Sequence, residues 1–326
     1  MSQSLFFARQ IITHKQIIDN GAILVEDGVI SWIGQRNDYF LKFMDLENAT
    51  VFNYEQELLV PGFIDMHTHG ALGIDFIHVD NESIDQIAQQ FALEGTTSFL
   101  TSTMVQHPDV EKTMLKRLGE LKRTHRARNL GIHFEGPYMN QKYKAMMDGR
   151  YLRNPDIQEI QQLQIIANNK IKMITMAPEL EGAESFIEHC VKNGIIVMIG
   201  HTDATAKQAL RAIEWGASGF THLYNAMSHH YHRNPGVVTG ALLSSGFSEL
   251  IVDGYHIDED VVKLTHKILK SGQIMINTDS TLAKGIGDDK FIFGGVECEI
   301  KDGKAFNIEM GRIAGSTIGM NEVFKN

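Results

Sequence analysis

The feature that most constrains the fold is a regular alternation of apolar and amphipathic segments, which begins at Leu58 and continues through most of the 326 residues. Helical periodicity occurs in segments such as SIDQIAQQFALEG and ATAKQALRAIEWG, which end at glycine as many helices do. The alternation predicts parallel strands joined by helical crossovers. The eight predicted strands are LLVPGFIDMHTH, TTSFLTST, NLGIHFEGP, IKMITMAPE, IIVMIGHTD, GFTHL, LIVDGYH and QIMINTDS.

Eight strands with crossovers fit either a closed (β/α)8 TIM-like barrel or an open, doubly wound sheet. An open sheet that binds nucleotides carries a glycine-rich phosphate-binding turn after its first strand, and this chain has no such turn there. We therefore predict an α/β protein built on a barrel over residues 58–284.

The segments on either side of the barrel have strand composition. Residues 1–57 predict a small β-domain, with a hairpin at Asp27-Gly28. The sequence of residues 285–326 predicts a second hairpin, which again turns at an Asp-Gly pair. We expect this hairpin to return to the small β-domain. The chain then ends in MNEVFKN, where a further helix is expected to begin.

Charge and cysteine content narrow the possible partners. The formal net charge of −10 disfavours nucleic acid and anionic membrane surfaces, which select a basic face. Two cysteines cannot build a disulfide framework, which favours a reducing compartment. The N-terminal segment lacks a signal-peptide pattern, and no apolar run reaches the roughly 18 residues of a membrane span. We expect a cytoplasmic protein.

Two histidines close the first predicted barrel strand, in PGFIDMHTHG. His67 and His69 are two residues apart, so in an extended strand they point to the same side, where one cation can lie between them. Taken singly, each is compatible with a turn or core role. Their position at a strand end is where barrels hold their active sites. Four other predicted strands end in residues of the same chemical kind, namely Glu135, His201, His222 and Asp279.

Imidazole and carboxylate ligands without a thiolate predict an open site for a divalent first-row metal. A hydrolytic site also needs a base that takes a proton from the attacking water and later gives it to the leaving group. Asp279, at the end of the last strand, suits that role, and the alternative is one more metal ligand. We expect His133, two residues before Glu135, to support the site or to pack in the core.

The order of motifs along the chain resembles the N-acetylglucosamine-6-phosphate deacetylases of the amidohydrolase superfamily. The resemblance extends from about Leu58 to Ser316 and includes THLYNAM and HFEGP, which are specific to this family. It implies a barrel with a small β-sandwich domain, a homodimer, and release of acetate from a small amino-sugar phosphate. The motifs that carry it are PGFIDMHTHG, HFEGPY, MAPE, GHTDA, THLYNAM, RNPGVV, DGYH, NTDS and IAGS.

The same resemblance implies roles for individual residues. Glu135, His201 and His222 match the principal metal site, and Asp279 matches the acid/base. His67 and His69 match a second-site pair that only some members keep, so one or two ions, zinc or iron, are expected. The positions that match contacts to the sugar and its phosphate are Asn225, Ala226, Arg233 and His256. An exposed loop charge is the alternative for Arg233.

Two departures from the family pattern leave alternatives open. Ala145, Met146 and Met147 stand where the family has a Gly-Ala-His triplet whose histidine faces the substrate. The family also continues beyond the position of Asn326, so the chain is expected to be short at its C-terminus. A deacetylase for a different N-acetyl sugar phosphate and an impaired or non-catalytic barrel remain possible. A dihydroorotase- or urease-type site is disfavoured, because MITMAPE has no lysine at its strand end.

Overall fold

The computed structural model describes residues 2–42 and 49–326. Contacts within the chain define two compact units, Met1–Gly62 and Phe63–Asn326. Neither unit contains, among the described residues, a helix that combines the length and the apolar character needed to cross a membrane.

The first unit consists of β1 (Gln3–Ile12), β2 (Ile17–Glu26), β3 (Val29–Gln35), α1 (Arg36–Lys42) and β4 (Thr50–Leu59). Its strands form one mixed sheet with the order β3-β2-β1-β4. The central strands carry the buried side chains, including Leu5, Phe7 and Leu24. The turn between β2 and β3 is formed by Asp27 and Gly28, both with positive φ (48° and 81°), so the predicted hairpin is confirmed.

The second unit alternates strands and helices, as the sequence predicts. Its strands are β5 (Phe63–Asp65), β6 (Gly70–Ala71), β7 (Ile74–Asp75), β8 (Thr96–Ser102), β9 (Arg128–Glu135), β10 (Ile171–Met176), β11 (Ile196–Ile199), β12 (Gly219–Phe220), β13 (Phe247–Ile251), β14 (Ile274–Asn277), β15 (Lys290–Phe293), β16 (Val296–Lys301) and β17 (Lys304–Asn307). Its helices are α2 (Asn81–Leu93), α3 (Pro108–Glu120), α4 (Ile157–Ile166), α5 (Ala183–Lys192), α6 (Ala206–Glu214), α7 (Val237–Leu243), α8 (Glu259–Ile268) and α9 (Met320–Lys325).

Eight of these strands form one parallel sheet in the order β5-β8-β9-β10-β11-β12-β13-β14. The strands follow one another in chain order, which excludes the reversal of strand order in a doubly wound sheet. The ends of the sheet meet at an isolated parallel bridge between Thr68 and Ser280, beside a hydrogen bond of 2.9 Å from the Asp279 N–H to the His67 carbonyl. The predicted (β/α)8 barrel and its eight strands are confirmed.

Helix α2 illustrates how the sequence builds the outer wall of the barrel. Asp80 caps its N-terminus by accepting hydrogen bonds from two backbone N–H groups of the first turn. Its buried residues recur at helical spacing and face β8, and burial of a phenylalanine such as Phe91 contributes roughly 1.5–3 kcal/mol. This buried stripe consists of Ile84, Ile87, Ala88 and Phe91.

The interior of the barrel is layered. Leu100, Met173 and Met198 form a buried apolar cluster on β8, β10 and β11. Because side chains alternate along a strand, Ser102 and Thr175, two residues further on, face the same side. A polar layer therefore lies between the apolar cluster and the carboxyl ends of the strands.

The last three strands form an antiparallel sheet of their own, in the order β15-β16-β17. Asp302 and Gly303 make the second turn with positive φ (52° and 72°), so the predicted hairpin at this Asp-Gly is confirmed. Residues 285–326 belong to the second unit by their contacts. The expected domain boundaries, and the expected return of this segment to the small β-domain, stay predictions.

Candidate active site

The six residues predicted to bind metal or transfer protons lie together at the carboxyl ends of barrel strands. Three of them, His201, His222 and Asp279, have positive φ (48°, 31° and 44°). A left-handed residue interrupts the extended run, so the chain leaves the strand there and presents the side chain at the mouth of the barrel. The six follow β5 (His67 and His69), end β9 (Glu135), and follow β11 (His201), β12 (His222) and β14 (Asp279).

Glu135, His201 and His222 form the first group of candidate ligands. The Nε2 atoms of His201 and His222 are 3.1 Å apart, and each is 3.3 Å from Oε1 of Glu135. Nδ1 of His201 lies 2.8 Å from the carbonyl oxygen of Tyr143. That carbonyl can only accept, so the proton of His201 is on Nδ1 and its Nε2 presents a lone pair to the centre.

His67, His69 and Asp279 form the second group. Nε2 of His67 and Nε2 of His69 are 3.2 Å apart, and they lie 3.4 and 3.3 Å from Oδ1 of Asp279. The same two nitrogens are 3.4 and 3.1 Å from the carboxylate oxygens of Glu135. Glu135 therefore lies between the two groups.

The chemistry of this donor set fits a divalent cation. Within each group the ligand atoms lie within 4.8 Å of one another. Two imidazole nitrogens that face each other at 3.1–3.2 Å share at most one proton, and the carboxylates add only lone pairs. A divalent ion accepts all of these lone pairs, and nitrogen with oxygen donors suits first-row metals.

Electrostatics keeps both carboxylates of the centre ionised. Burial alone would raise their pKa values, but the neighbouring imidazoles outweigh it. The pKa of Glu135 is held well below its ordinary value, and that of Asp279 falls to about 2. Burial would lower the pKa of His69, but the hydrogen bonds that its ring donates to Asp279 and Glu135 raise the pKa to about 9. The centre therefore attracts positive charge.

His133 supports the centre from the layer below. Its ring is fully buried and packs edge-on against the ring of His67, with centroids 4.5 Å apart. Its nitrogens lie 2.9 Å from Oγ of Ser102 and 2.8 Å from Oγ1 of Thr175. Burial, followed by the nearby charge of His67, holds the pKa of His133 well below its ordinary value. His133 is thus a neutral ring packed beneath a candidate ligand.

Asp65 is a buried carboxylate near the centre that sequence reasoning missed. Its Oδ2 accepts a hydrogen bond of 2.6 Å from the Thr278 hydroxyl. Its Oδ1 lies 3.3 Å from the backbone nitrogens of His67 and Thr278. Asp65 therefore ties β5 to the end of β14, next to the residues that precede Asp279.

A cavity of about 390 Å³ opens over the two groups. Its volume is within the range of about 300–1,000 Å³ that is usual for sites of small ligands. Its base is formed by His69, Glu135, His201, His222 and Asp279. A small molecule in this cavity would contact both groups of candidate ligands.

Comparison with known proteins identifies the family. The model of the amidohydrolase family matches residues 58–311, which include the whole barrel. The chain belongs to the amidohydrolase family. The resemblance inferred from the motifs is confirmed.

Relatives of this amidohydrolase include deacetylases of amino-sugar phosphates. N-acetylglucosamine-6-phosphate deacetylase of Bacillus subtilis (strain 168) is 34% identical, with 96% of this chain and 79% of the relative covered. N-acetylgalactosamine-6-phosphate deacetylase of Escherichia coli O157:H7 is 31% identical, with coverage of 98% and 82%. The structure of a Mycobacterium smegmatis N-acetyl-D-glucosamine-6-phosphate deacetylase mutant in complex with N-acetyl-D-glucosamine-6-phosphate is 25% identical, with a TM-score of 0.88 and coverage of 100% and 83%.

The structure brings together three of the four predicted substrate contacts. Asn225, Ala226 and His256 line the cavity of the amidohydrolase. His256 is oriented by Asp253, whose Oδ2 lies 2.6 Å from its Nδ1. Arg233 is exposed in the loop before α7 and is not among the described residues that line the cavity.

Two other cationic side chains line the cavity, and sequence reasoning missed both. Arg312 is exposed in the turn after β17, and Lys142 forms an ion pair of 2.9 Å with Asp203. Lys142 lies in a single 3₁₀ turn (Gln141–Tyr143) beyond β9, and Arg312 lies in the loop beyond β17, so neither is at the end of a barrel strand. No spacing rule identifies such residues, because the path of each loop decides where its side chain lies.

The segment that departs from the family triplet forms an apolar wall. Met146 and Met147 line the cavity together with Met104 and Phe293. Met147 is buried, and its Sδ lies 3.4 Å from the backbone nitrogen of Val105. Phe293 packs edge-on against His69, with ring centroids 5.7 Å apart. Methionine and phenylalanine side chains therefore stand beside the centre.

Proposed function

We propose that this amidohydrolase hydrolyses the acetamide of N-acetylglucosamine 6-phosphate to glucosamine 6-phosphate and acetate. The observation that carries the proposal is the convergence of four imidazole nitrogens and two carboxylates at the mouth of the barrel. Deacetylases of this type are among the relatives that match nearly the whole chain.

The two groups of candidate ligands hold one or two divalent ions, zinc or iron, in this proposal. Glu135 lies within 3.1–3.4 Å of all four histidine Nε2 atoms, which supports a bridging position if two ions bind. A bound ion polarises the acetamide carbonyl and lowers the pKa of the attacking water.

Asp279 acts as the base and then as the acid. Its side chain is 15% exposed, against at most 5% for the other five residues of the two groups, so it can meet both water and substrate. Its carboxylate takes a proton from the water that attacks the carbonyl carbon. It then gives that proton to the nitrogen of the sugar as the carbon–nitrogen bond breaks.

The opposite end of the substrate is a dianionic phosphate, which needs cationic and N–H donors. Asn225, Ala226 and His256 line the cavity and can contact the sugar and its phosphate. We retain Arg233 as a phosphate contact and add Arg312, because Arg312 lines the cavity. These contacts hold the acetamide over the metal centre, where orientation accelerates the attack.

A second candidate is deacetylation of the galactosamine epimer of the same substrate. A relative with 31% identity carries that name. The methionine wall at Met146 and Met147 also removes one polar contact that could distinguish between sugars. The expectations of a cytoplasmic homodimer stay predictions.

The test is release of acetate by the purified, metal-loaded protein. Four substrates are compared: N-acetylglucosamine 6-phosphate, N-acetylgalactosamine 6-phosphate and the two sugars without phosphate. We expect the highest kcat/KM for the glucosamine phosphate. A higher value for the epimer supports the second candidate, and no release from any of the four contradicts both and favours a non-catalytic barrel.

A further inference from the structure

Glu249 is a buried carboxylate in the wall of the barrel that is not needed for the proposed chemistry. It lies in the middle of β13, between β12 and β14, and its side chain is completely buried. A carboxylate in such a place is costly unless several donors surround it. The groups that donate hydrogen bonds to Glu249 therefore explain how this carboxylate is tolerated inside the barrel wall.

The first contact of Glu249 is with a candidate metal ligand. Its Oε2 lies 3.3 Å from Nδ1 of His67. Nε2 of His67 faces Glu135, His69 and Asp279, so that nitrogen must present a lone pair to bind an ion. In a neutral ring the proton is then on Nδ1, and this N–H donates a hydrogen bond to Oε2 of Glu249. A carboxylate behind a ligating histidine fixes both the tautomer and the ring orientation.

The same oxygen also accepts hydrogen bonds from the two neighbouring strand ends. The backbone N–H of His222 donates to Oε2 at 3.2 Å, and Nδ2 of Asn277 donates at 2.9 Å. Asn277 ends β14, two residues before Asp279. One oxygen thus connects the side chain of His67 with the backbone that presents His222 and with the strand that presents Asp279.

The four histidines differ in how they are held. His67 is held by Glu249, and His201 is held by the Tyr143 carbonyl. Nδ1 of His69 and Nδ1 of His222 have no partner among the described residues. Each group therefore has one histidine that is fixed from behind.

We propose that Glu249 is a positioning residue of the metal centre. It sets the tautomer of His67 and holds the strand ends that carry His222 and Asp279. The inference deepens the proposed function, since it rests on these side chains binding a metal. Loss of Glu249 should weaken metal binding, most of all in the group that contains His67.

Binding of Co²⁺ to the metal-free protein of 326 residues tests this without any substrate. Stoichiometry and affinity are measured by equilibrium dialysis, and the ligand geometry by the visible spectrum of bound Co²⁺. We expect Glu249→Ala to weaken binding about 10–100-fold, the usual cost of losing a partner behind a ligand. Glu249→Gln keeps an acceptor oxygen at this place and should lose less. If Glu249→Ala does not fold, the Co²⁺ affinity of Glu249→Gln tests the proposal in its place.

Thr101→Val is the matched control. Thr101 is fully buried in β8 and donates a hydrogen bond to the Gly131 carbonyl, so the variant loses one buried hydrogen bond away from the centre. It should bind Co²⁺ like the wild type. Wild-type binding by a folded Glu249→Ala protein overturns the proposal, as does an equal loss in Thr101→Val. If the wild type binds Co²⁺ but releases no acetate, the proposed function is contradicted, whereas the proposed role of Glu249 in metal binding still holds.

Discussion

The floor and the rim of the cavity are built in different ways. The floor lies at strand ends, and its side chains are almost completely buried except for Asp279. The rim lies in loops, and most of its residues are half-buried or exposed, although the side chain of His256 is only 8% exposed. The floor consists of His69, Glu135, His201, His222 and Asp279, and the rim consists of Lys142, Asn225, Ala226, His229, His256 and Arg312.

The difference separates chemistry from recognition. Buried floor residues contact one another at 3.1–3.3 Å and are held by the barrel, so a change there should affect metal binding or kcat. In the proposed function the rim residues contact the phosphate end of the substrate, so a change there should affect KM. Four predictions test this division, from the largest expected effect to the smallest.

The largest effect is expected for Asp279→Asn. The amide keeps the size of the side chain and tolerates the left-handed backbone, but it cannot take the proton of the water. We expect kcat to fall by about 10²–10⁴, with the metal content near that of the wild type. Acetate release and metal analysis check this. A loss of metal in proportion to activity would make Asp279 mainly a ligand, and near-normal turnover would contradict the proposed mechanism.

The next comparison is within the floor, between His222→Gln and His69→Gln. His222 belongs to the group with Glu135 and His201, whereas His69 belongs to the second group. We expect His222→Gln to lose bound metal and turnover together, and His69→Gln to keep an ion in the first group. Metal analysis of the two proteins after dialysis decides the point. The reverse result would make the second group the principal one.

A smaller effect is expected at the rim, for Arg312→Ala. A single charge-assisted hydrogen bond at an accessible position corresponds to about a tenfold rise in KM. The rise should apply to the phosphorylated sugar alone and leave kcat and metal content unchanged. Arg233→Ala is measured beside it, and we expect a smaller rise in KM, because Arg233 does not line the cavity. A larger effect of Arg233→Ala would assign the phosphate contact to that loop, and equal losses on both sugars would make either arginine structural.

The smallest effect is expected for Met147→Leu in the apolar wall. The two side chains have similar volumes, and such exchanges generally cost less than about 1.5 kcal/mol of stability. We expect kcat/KM to stay near the wild-type value in a steady-state assay, with only a small shift in Tm. A large loss of turnover in a folded protein would show that the sulfur atom of Met147 takes part in binding the substrate.

The barrel and its floor were predictable from the sequence because both follow from local pattern. Apolar segments of strand length identified all eight strands, and barrel geometry puts their ends at one mouth. Ligand-type residues at those ends, such as His67 and Glu135, were therefore expected to meet. Their mutual distances agree with that expectation.

The rim and the support behind the floor were not predictable in the same way. Arg312 and Lys142 reach the cavity through loops, and no periodicity fixes where a loop goes. Glu249 left a signal that could have been used. A glutamate in the short strand FSELI, whose other residues are mostly apolar, is an exception to the apolar pattern, and such exceptions usually mark a buried polar network.

The left-handed backbone at His201, His222 and Asp279 has a consequence for the evolutionary history of the chain. This conformation costs a residue other than glycine about 1–3 kcal/mol, and at these three positions the proposed reaction would compensate for that cost. In descendants that no longer need the reaction, drift should therefore replace these three positions early, by glycine or asparagine. The apolar residues of the barrel should persist much longer. Lineages that have lost the activity would then be recognisable at three strand ends, while the fold around them stays intact.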